Sequence, residues 1–515
     1  MGGGTGRRRL LLCLSFTEGA AVMIAEIAGA KMLTPVYGSA LYVWGTVLGV
    51  TLAALTTGYY VGGLLSHRPG RRLILYWCLA GAGLMIAFMP SLARGLMFTF
   101  EDMGPVPAVL ILSCLYLLPP LLLLGATSPL IIGLISGQVR DAGAAAGTVY
   151  AISTLGGILA TFLTGFFFIP EYGLSRTALA TGLLLAVLPT LCLLSRRQTS
   201  AILVPIVLLL LMTPDDRRQR SDIRVLHMSE GLLGQLLVAD IPLVNRQTGQ
   251  RRMDRMLFVN RMGQTWVDLA SGRSRMRSIT HIRALSRLLP RGSRILLIGL
   301  GGGVLARDLL ADGHQVESVE LDERIVEVAH RYFGLPTDSV VHVDDGRHFL
   351  RTARGPYDMV ILDVFKGEVQ PAHLLTVETF REIRALLRPR GMLAINFNAF
   401  LRGERGLSGR SLLKTLETAD FRVAILPTHE GEEGNNIYVG TLVDLGLKES
   451  RLPVRGRPLG ALLLDTAAID RGDALVFTDD HPLLEKLNQE ATAVWRAGYR
   501  RYAKQFLARG VPLFN

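Results

Sequence analysis

Arg294-Ile-Leu-Leu-Ile-Gly-Leu-Gly-Gly-Gly-Val304, followed by Val319-Glu320-Leu-Asp322, decides the fold of the C-terminal half. Ile295 to Ile298 are apolar and read as a buried strand. Gly299, Gly301, Gly302 and Gly303 let the backbone turn tightly and approach a ligand, and Val304 to Leu310 restarts as a helix. A second strand, Val316 to Leu321, ends on acids placed to accept hydrogen bonds from a ribose diol. One glycine-rich turn would suggest a dinucleotide. Two further strands change that reading. Val340-Val-His-Val-Asp344-Asp345-Gly346-Arg347 and Tyr357-Asp-Met-Val-Ile-Leu-Asp363 each carry acids at their carboxyl ends. Strands that each deliver polar groups at that edge describe a nucleoside site in an open α/β sheet. The pattern favours S-adenosylmethionine over a dinucleotide.

Working outward, the strand–helix alternation runs to about Val443, as in a doubly wound, Rossmann-like sheet. Ser274 to Leu289 is an amphipathic helix stopped by Pro290. Val377 to Leu387 is the helix after the fourth strand, Met392 to Phe397 is the fifth strand, and 401–410 reads as a loop at the rim. Upstream, Leu236-Leu-Val-Ala and Met256-Leu-Phe-Val are short strands, and Asn260-Arg-Met-Gly263 is a hairpin turn. These make a small β-subdomain over 223–272, with 213–222 as linker and 273–515 as the nucleotide-binding domain.

The segment from about Leu296 to Phe397 resembles the spermidine synthase (aminopropyltransferase) family, and the likeness extends over roughly 223–485. The family's Gly-Gly-Gly-Asp-Gly-Gly turn is similar to Gly299-Leu-Gly-Gly-Gly303, its strand-end Glu to Glu320, and its Asp-Gly pair to Asp345-Gly346. Its Asp-Ser-Ser-Asp-Pro loop resembles Asp363-Val-Phe-Lys366-Gly367. Met262-Gly-Gln264 resembles its Gly-x-x-Gln strand pair, and Phe477-Thr-Asp-Asp480-His-Pro482 its Thr-Asp-Asp-x-x-Pro ending. The resemblance implies a multi-pass membrane form of an enzyme that cleaves the sulfonium–propyl bond of its substrate and releases methylthioadenosine. That substrate is S-adenosylmethionine or decarboxylated S-adenosylmethionine. By the same resemblance Asp363 is the catalytic base, Glu320 takes the ribose hydroxyls, Asp345 the adenine amino group, and Gln264 the aminopropyl or methionine portion. Asp322, Asp344 and His281, the last near the family's Tyr-His-Glu segment, are further candidates, and Asp480 would close the site. Each has a plain alternative: helix cap or loop-stabilising acid for Asp363, Asx-turn for Asp345, surface acid for Glu320, strand-end glutamine for Gln264, and buried structural histidine for His281.

The departures matter too. Lys366 replaces the family's second loop acid, so a cation faces the place where a diamine would bind; like charges there repel. Lys366 could instead pair with the carboxylate of S-adenosylmethionine. Four outcomes stay open: aminopropyl-type transfer to an amine, cleavage by water or by the substrate's own carboxylate to homoserine or its lactone, methyl transfer, and a non-enzymatic transporter or sensor.

The N-terminal half is of a different kind. Half of all residues are hydrophobic. Apolar segments lie near 10–33, 41–65, 72–90, 106–135, 145–169 and 176–195, each about the roughly 20 residues a bilayer requires. The expectation is an all-α transmembrane helical bundle over 1–212 with six to eight helices. Pro119-Pro120 should kink the 106–135 segment, and Ala201 to Met212 is too short to span and reads as interfacial or re-entrant. Glycine and alanine within the spans suit close helix packing in lipid. Arg7, Arg8, Arg9, Arg68, Arg71, Arg72, Arg140, Arg196 and Arg197 fall on one side, which the positive-inside rule assigns to the cytoplasm. The reading is a multi-pass protein of the cell (inner) membrane with N-terminus and C-terminal domain cytoplasmic. Glu18 and Glu26 share a helix face and suggest a polar path or site within the bundle, with a headgroup-level acid as the alternative for Glu18.

The net charge of +12 fits cytoplasmic arginines facing anionic lipid rather than nucleic acid. Cys13, Cys78, Cys114 and Cys192 all lie in apolar segments, with no disulfide framework and no Cys/His metal spacing. The expected partners are the lipid bilayer and a small-molecule substrate, with no metal; a homo-oligomer is left open.

Overall fold

The computed structural model describes residues 2–38, 41–100, 103–136, 142–211, 222–244, 249, 251–365, 370–429, 434–511 and 513–514. The chain divides into two compact units. The first comprises Met1–Ser221, Met228–Gln235 and Ala503–Asn515. Its helices are α1 (Gly2–Tyr37), α2 (Leu41–Leu65), α3 (Arg71–Leu96), α4 (Pro105–Tyr116), α5 (Leu118–Ile135), α6 (Ala142–Leu163), α7 (Ile169–Leu194) and α8 (Leu203–Leu211). Among the described residues five helical stretches are long and apolar enough to cross a membrane. The last of them, Ala142–Leu194, is interrupted by a π turn at Thr164–Phe168 and by Gly173 at φ 80°, so α6 and α7 are its two arms. The 106–135 segment divides at Leu117: Pro119 and Pro120, which lack an N–H, sit in the first turn of α5. That leaves α4 with 12 residues, well short of the roughly 20 a span needs.

Small residues set the helix pairs. A methyl group on Gly19 would lie 2.0 Å from the Ser153 carbonyl oxygen, and one on Gly83 would lie 2.6 Å from that of Gly182. On Gly58 it would lie 2.4 Å from the Leu122 carbonyl oxygen. The pairs α1–α6, α3–α7 and α2–α5 therefore pack backbone to backbone, with the close dispersion contact that only small residues allow. Ala503, Leu513 and Phe514 are buried in the same core as these helices. That apolar burial is why the last residues belong to the first unit, whereas the sequence had given them to the nucleotide-binding domain.

The second unit, Asp222–His227 with Leu236–Tyr502, begins, apart from the last two residues of its first strand, with a four-stranded sheet in the order β1 (Arg224–Ser229), β2 (Leu236–Val244), β3 (Arg251–Val259), β4 (Met262–Asp268). Asn260 and Arg261, both at positive φ (49° and 65°), form the two-residue turn between β3 and β4. Positive φ at both central positions matches the right-handed twist of the flanking strands.

After α9 (Arg277–Ser286) come β5 (Arg294–Ile298), α10 (Val304–Ala311), β6 (Gln315–Glu320), α11 (Glu323–Phe333), β7 (Val340–Val343), α12 (Gly346–Thr352), β8 (Tyr357–Leu362), α13 (Val377–Leu386), β9 (Leu387–Asn398), α14 (Leu407–Thr418), β10 (Arg422–Pro427) and β11 (Asn435–Thr441). The chain ends in α15 (Leu484–Leu487) and α16 (Gln489–Ala508). The strands form one seven-stranded sheet in the order β10-β11-β9-β8-β5-β6-β7. Neighbours from β9 to β7 are parallel; β11 is antiparallel to both β9 and β10. Alternate residues of β5, β8 and β9 enter different cores. Leu296, Ile298, Val360, Leu362, Leu393 and Ile395 meet Phe380 and Leu412, while Ile295, Leu297, Met359, Ile361, Met392 and Ala394 meet Ile282 and Leu305. Burial on both faces explains why these strands are continuous apolar runs. The 401–410 stretch, expected as a loop, already enters α14 at Leu407: Ser408, Ser411 and Leu412 are buried on the sheet side, and that packing outweighs the glycines.

Candidate functional site

In the sheet order, β6 and β7 lie on one side of β5 and β8 and β9 on the other. The chain reverses its winding there, and open α/β sheets bind ligands at the carboxyl ends of the strands at such a switch point. The ladder runs one residue past the strand ends. Gly299 N–H donates to Val319 O (2.8 Å), Asp344 N–H to Glu320 O (3.0 Å) and Asp363 N–H to Ile298 O (2.9 Å). Leu362 pairs with Ile395, which puts Asn396 beside Asp363. Thus Asp344, Glu320, Gly299, Asp363 and Asn396 stand side by side along one edge.

The glycine turn is clasped from two sides. Gly299 has φ 92°, and a methyl group there would lie 2.3 Å from the Asp363 carbonyl oxygen. Gly301 (φ 53°) faces Thr265 Oγ1, and Gly302 N–H donates to that oxygen at 2.7 Å. Gly303 (φ 69°) is the left-handed residue before α10 and packs against Ala329 and Leu335. Thr265 therefore fixes the turn to β4, immediately beside Gln264.

Glu320 Oε2 accepts the Leu300 N–H (3.0 Å) and Oε1 the Asp322 N–H (3.1 Å). Burial raises its carboxyl above the ordinary glutamate value, against the pull of those N–H groups. Asp322 caps α11, accepting the Arg324 N–H (3.1 Å) and its guanidinium (2.6 Å). Asp345 caps α12: Oδ1 accepts the N–H groups of Arg347 (2.9 Å) and His348 (3.1 Å), and Oδ2 faces His373 Nε2 at 3.3 Å. Burial works to raise this carboxyl, yet those N–H groups and His373 hold it below the ordinary aspartate value. Gly346 leaves room for Ile298, whose Cγ2 would lie 2.6 Å from an added methyl. Asp344 accepts the Asp345 N–H (2.8 Å) and meets His348 Nδ1 at 2.7 Å.

Asp363 sits in a drier place. Its Oδ1 accepts from Asn396 Nδ2 at 2.8 Å. Burial raises its carboxyl above the ordinary range, and the Asn396 amide only partly offsets this. Gln370 holds the same strand end, donating to Asn396 O (2.7 Å) and accepting the Asn398 N–H (3.3 Å). Such a carboxylate is suited to take a proton. Lys366 lies outside the described residues.

Two features escaped the sequence reading. Phe365 stacks edge-on with Trp495 (centroids 5.3 Å apart), Trp495 with Tyr499 (6.1 Å), and Tyr499 tilts against Tyr502 (5.9 Å). Tyr499 also closes over Gly263, where an added methyl would come within 2.8 Å of its ring. An aromatic row on α16 thus joins β4 to the segment after Asp363; its i, i+4, i+7 spacing was the available signal. The second is the brace under α12. Buried Arg347 binds Asp479 (3.0 Å), Glu382 (2.6 Å), the His373 carbonyl (2.7 Å) and Thr379. Asp479, also held by Thr376 Oγ1 at 2.7 Å, ties down the C-terminal Thr-Asp-Asp segment; it and Asp480 are both exposed. His281 is buried, and its Nδ1 bonds the Arg277 carbonyl of its own helix at 2.6 Å. Burial, with Arg455, Arg277 and His429 nearby, lowers its proton affinity. Those neighbours, not the strand-end acids, surround it.

In the helical unit, Glu18 is buried and accepts from Ser153 (3.0 Å) and Ser128 (3.3 Å) across α6 and α5. Glu26 is buried on the same helix. Among the described residues no group of three or more His, Cys, Asp or Glu could hold a metal ion.

Residues 274–428 match the family model of the spermine/spermidine synthase domain. The chain is 38% identical over 115 residues to the polyamine aminopropyltransferase of Vibrio vulnificus, covering 21% of this chain and 38% of that one. It is 24% identical over 446 residues to polyamine aminopropyltransferase 1 of Streptomyces coelicolor, covering 81% and 80%. It is also 35% identical over 111 residues to an N-terminal histidine N-methyltransferase of Emericella nidulans, covering 21% and 20%. The chain thus spans well under half the length of two of these curated relatives. Among solved structures, a probable spermidine synthase from Corynebacterium glutamicum matches with TM-score 0.35 and 21% identity, covering 49% of this chain and 91% of that one.

Proposed function

We propose, from a C-terminal region that carries a spermidine synthase domain, that this chain is a membrane-embedded transferase of aminopropyltransferase type. Its substrate is S-adenosylmethionine or the decarboxylated form. The observation that carries the reading is the row of strand-end groups at the switch point, with the glycine turn packed against the backbone of Asp363. In the reaction an acceptor nitrogen attacks the propyl carbon bonded to sulfur. The C–S bond breaks, sulfur leaves with the electron pair as neutral methylthioadenosine, and the nitrogen's proton passes to Asp363. Glu320 receives the ribose hydroxyls, and Asp322, Asp344, Asp345 and Gln264 serve the rest of the nucleoside and its chain. The five apolar helical stretches support a membrane location, and the arginine asymmetry supports a cytoplasmic site.

Incubating the purified full chain with each form of the substrate, with and without putrescine, and identifying the nucleoside product tests this. Methylthioadenosine formed only with an amine supports transfer. Methylthioadenosine without an amine indicates cleavage to homoserine or its lactone. S-adenosylhomocysteine would replace the proposal by methyl transfer, a reading favoured by the likeness to the histidine N-methyltransferase.

Glu320→Gln keeps the shape but places an amide where two backbone N–H groups and a ribose diol all need an acceptor. Methylthioadenosine affinity, measured calorimetrically, is expected to fall roughly 10- to 100-fold, the weight of about 1.5–3 kcal/mol for a hydrogen bond to a charged group. Unchanged affinity would remove Glu320 from the site.

Lys366→Asp restores an acid at the second loop position of the resemblance. Replacing a like charge by an opposite one should shift the preference toward decarboxylated S-adenosylmethionine and putrescine by roughly 10-fold or more in kcat/KM. A wild type that makes spermidine efficiently, with no gain in this variant, would show that the amine is held by other residues.

A further inference from the structure

The turn between α2 and α3 reads His67-Arg68-Pro69-Gly70-Arg71-Arg72. These residues, with Leu73, Leu134 near the end of α5 and Arg196 after α7, line a cavity of about 580 Å³. Arginines that the sequence assigned to one membrane face from separate loops thus converge on one hollow. Among the described residues four guanidiniums and an imidazole line it, and no carboxylate does. Arg71 Nη1 donates to the Ser66 carbonyl at 3.0 Å, so the exposed C-terminal end of α2 is already answered from within. Among the described residues none of Arg68, Arg71, Arg72 and Arg196 has an ion-pair partner. Gly70, at φ 85°, turns the chain into the first residue of the 26-residue α3, whose positive end faces the same way. Cations lining one cavity repel one another unless an anion sits among them. Planar guanidiniums match the oxygens of a phosphate in pairs. Leu73 and Leu134 supply an apolar wall on the side of the helices, which suits the glycerol and acyl portion of a lipid rather than a bare ion.

We infer that this cavity is a binding site for a phosphate group, namely the phosphodiester headgroup of an anionic phospholipid, held by Arg68, Arg71, Arg72 and Arg196. The inference is separate from the transfer reaction and is tested without activity. The full chain in neutral detergent is titrated with short-chain phosphatidylglycerol, short-chain phosphatidylcholine and inorganic phosphate, in wild type, in Arg72→Gln/Arg196→Gln and in Arg72→Lys/Arg196→Lys. The expected result is saturable binding of phosphatidylglycerol, at least about 10-fold tighter than phosphatidylcholine and weakening with salt. The Gln pair should lose it by about 10-fold or more, and the Lys pair should keep most of it. Inorganic phosphate binding as tightly as phosphatidylglycerol, with the same loss in the Gln pair, would overturn the lipid source and leave a soluble phosphate as the ligand. Phosphatidylglycerol binding unaffected in the Gln pair, or no preference over phosphatidylcholine, would overturn the site. Should the Gln pair not fold, Arg196→Gln alone, beyond the last turn of α7, gives the same decision.

Discussion

Asp363→Asn is expected to lower turnover by roughly 100- to 10,000-fold, the range for loss of a positioned general base, while nucleoside binding stays largely intact. The substitution is nearly isosteric, and Asn396 Nδ2 can still donate to the remaining oxygen it now meets at 2.8 Å. The ribose and adenine contacts are proposed for β6 and β7, so kcat should fall and the affinity for methylthioadenosine should not. The pH behaviour carries a sign. Burial raises the Asp363 carboxyl, so the folded protein holds that proton more tightly than the unfolded chain does. Its stabilising contribution is complete below the ordinary aspartate value and is lost as pH rises through the raised one. Activity has the opposite slope, because only the ionised base accepts a proton. Wild-type kcat should climb through the raised value as stability declines, and the Asn variant should lack both trends. A variant retaining a tenth of the activity or more would show that Asp363 only caps its loop.

Gly299→Ala is expected to cost on the order of 3 kcal/mol or more in stability, and with it the nucleoside site. A side chain at φ 92° is strained in any surroundings. Here the added carbon would also lie 2.3 Å from the Asp363 carbonyl oxygen and 2.8 Å from its carbon. Neither neighbour is a flexible side-chain tip; both belong to the backbone at the end of a buried strand, so relief requires parting β5 from β8. Chemical denaturation of the full chain reads the loss. Gly301→Ala is the milder control, since its nearest neighbour is the Thr265 hydroxyl at 3.2 Å. Equal stability of the two variants would mean the turn yields more easily than its packing implies.

How much of this could be read beforehand depended on whether a residue's role is written in its own neighbourhood. Glu320, Asp344 and Asp363 interrupt apolar runs, and an acid ending such a run is visible in one dimension. The glycines were visible because so many in so few residues serve no regular element. Asn396 was not, because it matters only through the register that sets β9 beside β8. Thr265 looked like any β4 threonine until its hydroxyl was found accepting the Gly302 N–H. Asp322 and Asp345 both cap helices; the sequence reading offers a local Asx-turn for Asp345 and a helix cap only for Asp363. In the helical unit the Pro119-Pro120 break was legible, whereas the return of Ala503, Leu513 and Phe514 to that core was not: the composition of α16 does not say which core its end will join.

The hydrogen bonds that extend the ladder past the strand ends have a consequence for how this site can change. The α-carbons of Glu320, Asp344 and Asp363 are located by the sheet, not by loops. A new acceptor therefore need not rebuild the nucleoside end. On the proposed assignment, altering the few residues that follow Asp363 would change what is received while the donor is still presented in the same place. Diversity among such proteins should collect in that short span, much as a lathe keeps its bed while the tool is exchanged.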